Sequence, residues 1–211
     1  MTDANKTISI AAADLQGRGV YRLVTSVLVP RPIGWISTIG KDGTPNLAPF
    51  SFFGGAASRP PHIFFSSSLR DGRQKDSLRN AEETGEFVFN VVDEVLAEAM
   101  NVTSSDWPYK VDEFKEAGLA MAPCVDVRVP RVAAAPVAIE CKVTQMVPVE
   151  CTTSVMVIGK VLRFHLREGL LRANGLVDAE LLRPVGRLGG DEYATLGQVF
   201  SMVRPLDLRE K

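Results

Sequence analysis

Residues Pro30 to Ser51, PRPIGWISTIGKDGTPNLAPFS, limit the fold more than any other stretch. Pro30 and Pro32 fix φ and remove backbone donors, so no regular helix starts there. Ile33 to Ile39 reads as a strand, rich in Ile and Trp with Ser and Thr interleaved. Lys41-Asp42-Gly43-Thr44 carries the Asp-Gly signal of a tight hairpin, and Asn46 to Phe53 reads as the returning strand. Such a hairpin sets Ser37, Thr38, Asn46 and Ser51 on a β surface beside Trp35 and Phe50. That surface suits something flat at one end and polar at the other.

Before the hairpin, residues 1–15 are polar and alanine-rich and are expected to pack late or loosely, and Val20 to Val29 fits neither a helical nor a strand period cleanly. After it, Gly54-Gly55-Ala56-Ala57-Ser58 reads as a close-packed corner and Arg59-Pro60-Pro61 as a break. His62 to Ser67 reads as a strand ending in Ser66-Ser67-Ser68. A helix capped by Asp76 or Ser77 runs to about Glu83, with Gly85 as its stop. Glu86 to Val92 alternates as a strand, and Asp93 to Met100 and Val111 to Ala117 give short helical pieces around a Trp107-Pro108-Tyr109 loop. From Cys124 the pattern turns to β: Val125 to Val132, Pro136 to Met146 and Thr153 to Leu166, with Gly159 marking a bulge or bend. Many short strands, few helices and dispersed turns predict a mainly β fold, a closed or nearly closed antiparallel barrel with flanking helices over one end.

At 211 residues the chain suits one domain and can bury a sizeable core. A formal net charge of -1 gives no electrostatic support to nucleic-acid binding. No apolar run approaches the roughly 18 residues that span a bilayer. The N-terminus lacks the basic-then-apolar order of a secretory signal, so a cytoplasmic location is the default expectation. Cys124, Cys141 and Cys151 are odd in number and lack CxxC spacing, which argues against a disulfide framework or structural zinc and for buried or half-buried thiols. Two histidines, His62 and His165, are too few for a His-rich metal site, and His165 reads as a structural residue in a strand.

The segments Pro30-Arg31-Pro32-Ile33-Gly34-Trp35-Ile36-Ser37-Thr38 and Asn46-Leu47-Ala48-Pro49-Phe50-Ser51 resemble the opening signature of the flavin reductase-like, FMN-binding split-barrel family. Lys75-Asp76-Ser77 ahead of its helix, and Arg187-Leu188-Gly189-Gly190 with Tyr193, extend the resemblance over roughly residues 20 to 200 of a single 1–211 domain. The resemblance implies a six-stranded antiparallel Greek-key split barrel, a homodimer, and a flavin in a groove at the subunit boundary. Ser77 stands where threonine is frequent in that family; the hydroxyl is kept.

An isoalloxazine ring needs an apolar wall and donors at its pyrimidine edge, and the phosphate end needs hydroxyls, backbone N–H groups and cations. Trp35, Phe50, Phe52 and Phe53 offer the wall, and Ser37, Thr38, Asn46 and Ser51 the donors. Ser66, Ser67 and Ser68, then Arg73, Lys75, Asp76 and Ser77, hold the ingredients of a phosphate cradle. Each residue type also has an ordinary use: aromatics fill cores, serine runs make solvated turns, Arg73 and Lys75 suit a solvated helix face, and Asp76 suits a cap. The resemblance supports Ser37, Thr38, Asn46, Ser51, Lys75 and Ser77 most firmly, and brings Tyr193 toward the ring from the neighbouring subunit or leaves it closing the core.

Hydride transfer from NAD(P)H to a flavin needs no strong protein acid or base, so the lack of a catalytic triad is no objection, and no residue is singled out as catalytic. No Rossmann GxGxxG is present; Gly17-Arg18-Gly19 does not continue the pattern. The expectation is therefore a homodimeric, NAD(P)H-dependent flavin reductase using FMN, with FAD left open, that supplies a partner monooxygenase. The alternatives are an FMN-bound enzyme acting on another small molecule, and a flavin-bound electron carrier without its own turnover.

Overall fold

The Asp42-Gly43 turn joins β1 (Gly34–Ile39) to β2 (Pro45–Phe50), and their register pairs Gly34 with Phe50 and Thr38 with Asn46. The structure is a computed structural model that describes residues 6–203 and 205. The returning strand stops at Phe50 rather than Phe53. After Ser51 and Phe52 a new strand, β3 (Phe53–Ser58), begins and pairs with β4 (Pro61–Ser68), so the expected glycine corner is itself a strand. Val20 to Val29, ambiguous by period, lies mostly in helix α1 (Gly19–Val27).

Helix α2 (Asp76–Thr84) follows, ended by Gly85, and then β5 (Glu86–Asn90). Two short helices, α3 (Ala97–Val102) and α4 (Glu113–Glu116), precede the long hairpin β6 (Val137–Pro148) and β7 (Ser154–Leu166). The seven strands form one antiparallel sheet in the order β2-β1-β5-β6-β7-β4-β3. Its two flanks are consecutive in the chain, separated only by Ser51 and Phe52, so the sheet must curl back on itself. Phe50 of β2 accordingly meets Phe65 of β4, ring centroids 5.0 Å apart. Seven strands rather than six make up this mainly β barrel.

The barrel interior holds Ile36, Phe50, Phe65, Phe87, Cys141 and Val157, with Leu78 of α2 packed against them. A second core lies on the other side of β1, where Trp35 and Leu47 pack with Met100 of α3 and Phe114 of α4. Both faces of β1 are thus covered, which is why five of its six residues are buried. Gly159 sits where β7 shifts register, and a Cβ there would lie 2.3 Å from the Phe87 ring, so the expected bulge is also a point of close packing.

One expected strand is mostly not regular. Of Val125 to Val132, only Arg131–Val132 forms a strand, against Met121–Ala122. The physical reason is Glu140 of β6, whose fully buried carboxylate accepts the backbone N–H groups of Val125, Asp126 and Val127 and bonds His165 Nε2 at 2.6 Å. Those N–H groups have a partner without a neighbouring strand. The thiols differ from expectation too: Cys141 is buried and Cys124 half-buried, but Cys151 is exposed on the β6–β7 turn. No helix among the described residues is long and apolar enough to cross a membrane.

Candidate functional site

Where β2 meets the start of α2, a cleft of about 880 Å³ opens between Asn46 and Phe50 on one side and Arg70 to Arg79 and the Trp107-Pro108-Tyr109 loop on the other. Local sequence sets its walls. Lys75 occupies the N-cap position of α2 in extended conformation, without a side-chain cap, leaving first-turn N–H groups toward the cleft end of the helix. Asp76 is not the cap; its carboxylate pairs with Arg79 at 2.6 Å one turn on.

Behind the wall runs a buried amide–hydroxyl network. Asn46 Nδ2 donates to Ser77 Oγ at 2.8 Å and to Thr38 Oγ1 at 3.2 Å, and Asn80 Nδ2 donates to the same Thr38 oxygen at 3.2 Å. The two strands of the hairpin and the first turn of α2 are therefore tied at one place. Lys75 stands beside this network with its ammonium 5.9 Å from the centre of the Phe50 ring. Burial, and then the positive charge of Arg70, hold the Lys75 ammonium below its usual pKa, while Asp106 opposes the shift. Arg70 pairs with Asp106, whereas Arg73 and Lys75 form no ion pair among the described residues.

The opposite wall contains residues that the sequence did not mark. Arg79 lies over the Tyr109 ring at 4.0 Å, and Trp107 and Tyr109 supply aromatic side chains on that side of the cleft. Glu113 lines the floor, 6 % exposed, accepting the Leu47 N–H at 3.1 Å. Burial pushes its carboxyl up to about 7 against the pull of the Leu47 N–H, and the neighbouring Asp76 and Asp112 add to the rise. Nothing in a four-residue helix marked Glu113 in advance; the nearest signal was the Trp-Pro-Tyr loop just before it.

Of the expected site residues, Asn46, Arg73, Lys75, Asp76 and Ser77 border this cleft, and Thr38 lies directly behind it. Several do not, and each has a physical reason. Trp35 is fully buried in the second core with Nε1 donating to Thr103 Oγ1 at 2.8 Å, so its indole is not a cleft wall. Ser37, also fully buried, donates to the Pro130 carbonyl and accepts from Asn90. Ser66, Ser67 and Ser68 lie on β4 and are not among the residues that line the cleft: the Ser68 and Ser154 hydroxyls bond each other at 2.7 Å, and the buried Ser67 hydroxyl has no partner among the described residues. Phe52 is exposed at the β2–β3 junction, and Ser51 lines a different, cationic pocket with Arg31 and Arg187. Tyr193 is half-buried beside that pocket, with the Arg187 guanidinium 4.3 Å over its ring and Asn101 Oδ1 at 3.3 Å.

A curled antiparallel sheet with a cationic, aromatic-rimmed cleft at a helix start is a binding architecture for a planar anionic ligand. The match to known proteins is specific. Residues 26–181 match the flavin reductase like domain, and the chain belongs to that family. A protein of Aquifex aeolicus is 41% identical over 181 residues, 85% of this chain and 91% of that one. The crystal structure of nitrilotriacetate monooxygenase component B from Bacillus cereus superposes with a TM-score of 0.91 at 34% identity, covering 94% of this chain and 100% of that one. That of 2-nitrobenzoate 2-nitroreductase from Pseudomonas fluorescens gives 0.86 at 31% identity, covering 95% and 98%. The fold is that of the split-barrel flavin reductases, and the chain is a flavin-binding oxidoreductase of that kind.

Proposed function

We propose that the cleft binds FMN and that the protein, as a homodimer, reduces it with NADH or NADPH and delivers reduced flavin to a separate monooxygenase. The observation that carries this reading is the meeting of Asn46, Ser77 and Lys75 and Arg73, which have no ion pair among the described residues, at the start of α2. These residues fit a flavin phosphate: a half-buried ammonium, a guanidinium and first-turn N–H groups face one cleft, where the neighbouring Asp76 carboxylate is taken up by Arg79. Lys75 and Arg73 would hold the phosphate, Phe50 and Trp107 would flank the ring, and Tyr109 with Arg79 would close the far side. The group supplies two-electron redox chemistry when bound. The chain's own part is to bind, to orient and to exclude water.

Glu113 adds a proton-bearing group to the floor of this cleft near neutral pH. The likeness to a monooxygenase component B supports the delivery of reduced flavin to a partner enzyme. The likeness to a nitroreductase favours a second reading, an FMN-bound enzyme acting directly on another small molecule. A reaction drawing on reduced nicotinamide fits a cytoplasmic setting. Mixing the purified protein with FMN and each nicotinamide tests the proposal: the flavin absorbance should bleach. No bleaching with either one sinks the reductase, and a protein that stays yellow through dialysis while leaving free FMN oxidised favours the second reading.

A further inference from the structure

A second cavity of about 390 Å³ lies between α1 and the loop after Gly186, away from the α2 cleft. Four arginines line it, Arg18, Arg22, Arg31 and Arg187, against a single carboxylate, Asp191. Asp191 is fully exposed and, among the described residues, pairs only with Arg187, at 3.7 Å. Arg18, Arg22 and Arg31 form no ion pair among the described residues. Such a concentration of one sign stands out in a chain whose formal net charge is -1.

Arg31 makes the arrangement costly as it stands. It is 7 % exposed, and its Nη atoms donate only to carbonyls: Nη1 to Thr25 and Leu28, Nη2 to Leu188. Its Nε–H has no partner among the described residues. Carbonyl oxygens satisfy donors but do not neutralise a buried charge, and an uncompensated buried cation is destabilising. Burial lowers the Arg31 pKa, the Tyr21 side chain opposes that, and the positive charge of Arg187 lowers it further; the two guanidiniums are close enough to repel.

The cavity is nevertheless a built one. Arg31 ties the end of α1 to the Leu188 carbonyl, and Gly189 packs so tightly on α1 that a Cβ would lie 3.1 Å from Ser26 Cβ. Arg187 is held by the Gly190 carbonyl and by the Tyr193 ring. The fold thus fixes like charges around an open space, with Ser51 adding a polar side chain to its edge.

We propose that this arginine cavity is a phosphate-binding site, separate from the α2 cleft, that takes the phosphate end of a nucleotide. The missing counter-charge, the several guanidiniums and a volume well above that of inorganic phosphate point to a phosphate on a larger carrier. The nicotinamide dinucleotide is the carrier that suits the reading above, and only that identity rests on it.

The test is calorimetric titration of the full-length protein with ADP, adenosine 2′,5′-bisphosphate and inorganic phosphate, with FMN binding followed separately by fluorescence quenching. At least one of the three should bind, with affinity falling as salt is added. Arg18 and Arg22 are exposed, so Arg18→Ser with Arg22→Ser leaves the fold intact; it should weaken that binding at least tenfold and leave FMN affinity unchanged. Preference for the bisphosphate assigns the site to NADPH, preference for ADP to NADH, and equal binding of inorganic phosphate overturns the nucleotide. No binding, or equal binding by the double variant, overturns the site. If FMN fails to bind while the nucleotide does, the cleft reading falls and this one stands.

Discussion

The Asn46 amide donates to the Ser77 hydroxyl at 2.8 Å, and this one bond joins the returning strand of the first hairpin to the first turn of α2. Both side chains are buried, so neither can exchange the bond for water. Asn46→Ala should cost about 1–3 kcal/mol through the unmatched polar groups left behind. A urea titration should show a lower midpoint with unchanged slope, and FMN affinity should fall with it. An unchanged midpoint would mean that the tie does not organise the site.

Lys75→Ala separates binding from folding. The ammonium is half-buried and its charged form disfavoured by that burial, so its removal should leave melting temperature unchanged or slightly raised. Flavin affinity, read by fluorescence quenching, should drop at least tenfold, ~1.4 kcal/mol. Ser77→Ala is a poorer probe, because Ser77 also accepts the Asn46 bond.

Glu113 should make the protein less stable as pH rises. Its folded pKa of about 7 lies above the ordinary 4.5, so the folded state holds the proton more tightly than the unfolded chain does. That contribution is fully present below about pH 4.5 and is lost as pH rises through about 7. Its size is on the order of 3 kcal/mol. Glu113→Gln should flatten the slope of urea midpoints between pH 5 and pH 8; an equally steep slope in the variant would place the titrating group elsewhere.

Glu140 should behave in the opposite sense. Burial raises its pKa, but the N–H groups of Val125, Asp126 and Val127 and the His165 bond outweigh that and hold it below the ordinary value. Its stabilisation is therefore present above the unfolded pKa and is lost as pH falls through the folded one. Glu140→Gln sets an NH2 among donors and should cost about 1–3 kcal/mol at neutral pH. Amide exchange should rise first at residues 125 to 127.

Gly159→Ala should cost about 1–3 kcal/mol by forcing a methyl into the Phe87 ring 2.3 Å away. Phe87→Leu in the same chain should recover part of the loss in thermal melts. Additive losses would show that the two sites do not touch.

Much of this molecule was readable from its residues. The Asp42-Gly43 hairpin, α2 with its Gly85 stop, and the Gly159 irregularity all follow from local chemistry. The meeting of Asn46 with Lys75 and Ser77 at one cleft was legible only through the family resemblance, because Asn46 and Ser77 lie 31 positions apart. Period-2 alternation, however, gives the two faces of a strand without saying what covers them. Trp35 and Ser37 looked available only because nothing local announces that α3 and α4 close over that face of β1. Glu113 escaped notice for the same reason: it lies 66 positions from the Leu47 N–H it binds. The segment after Cys124 has strand composition, but a carboxylate on a distant strand took its backbone donors.

That last feature bears on how this family can vary. A clamp that grips peptide N–H groups is indifferent to the side chains they carry, so position 125, with Val125 67% exposed, can drift almost freely. Proline is the exception, because it has no hydrogen to offer. Homologues should therefore show wide diversity there with that single residue missing, wherever an acid occupies the place of Glu140.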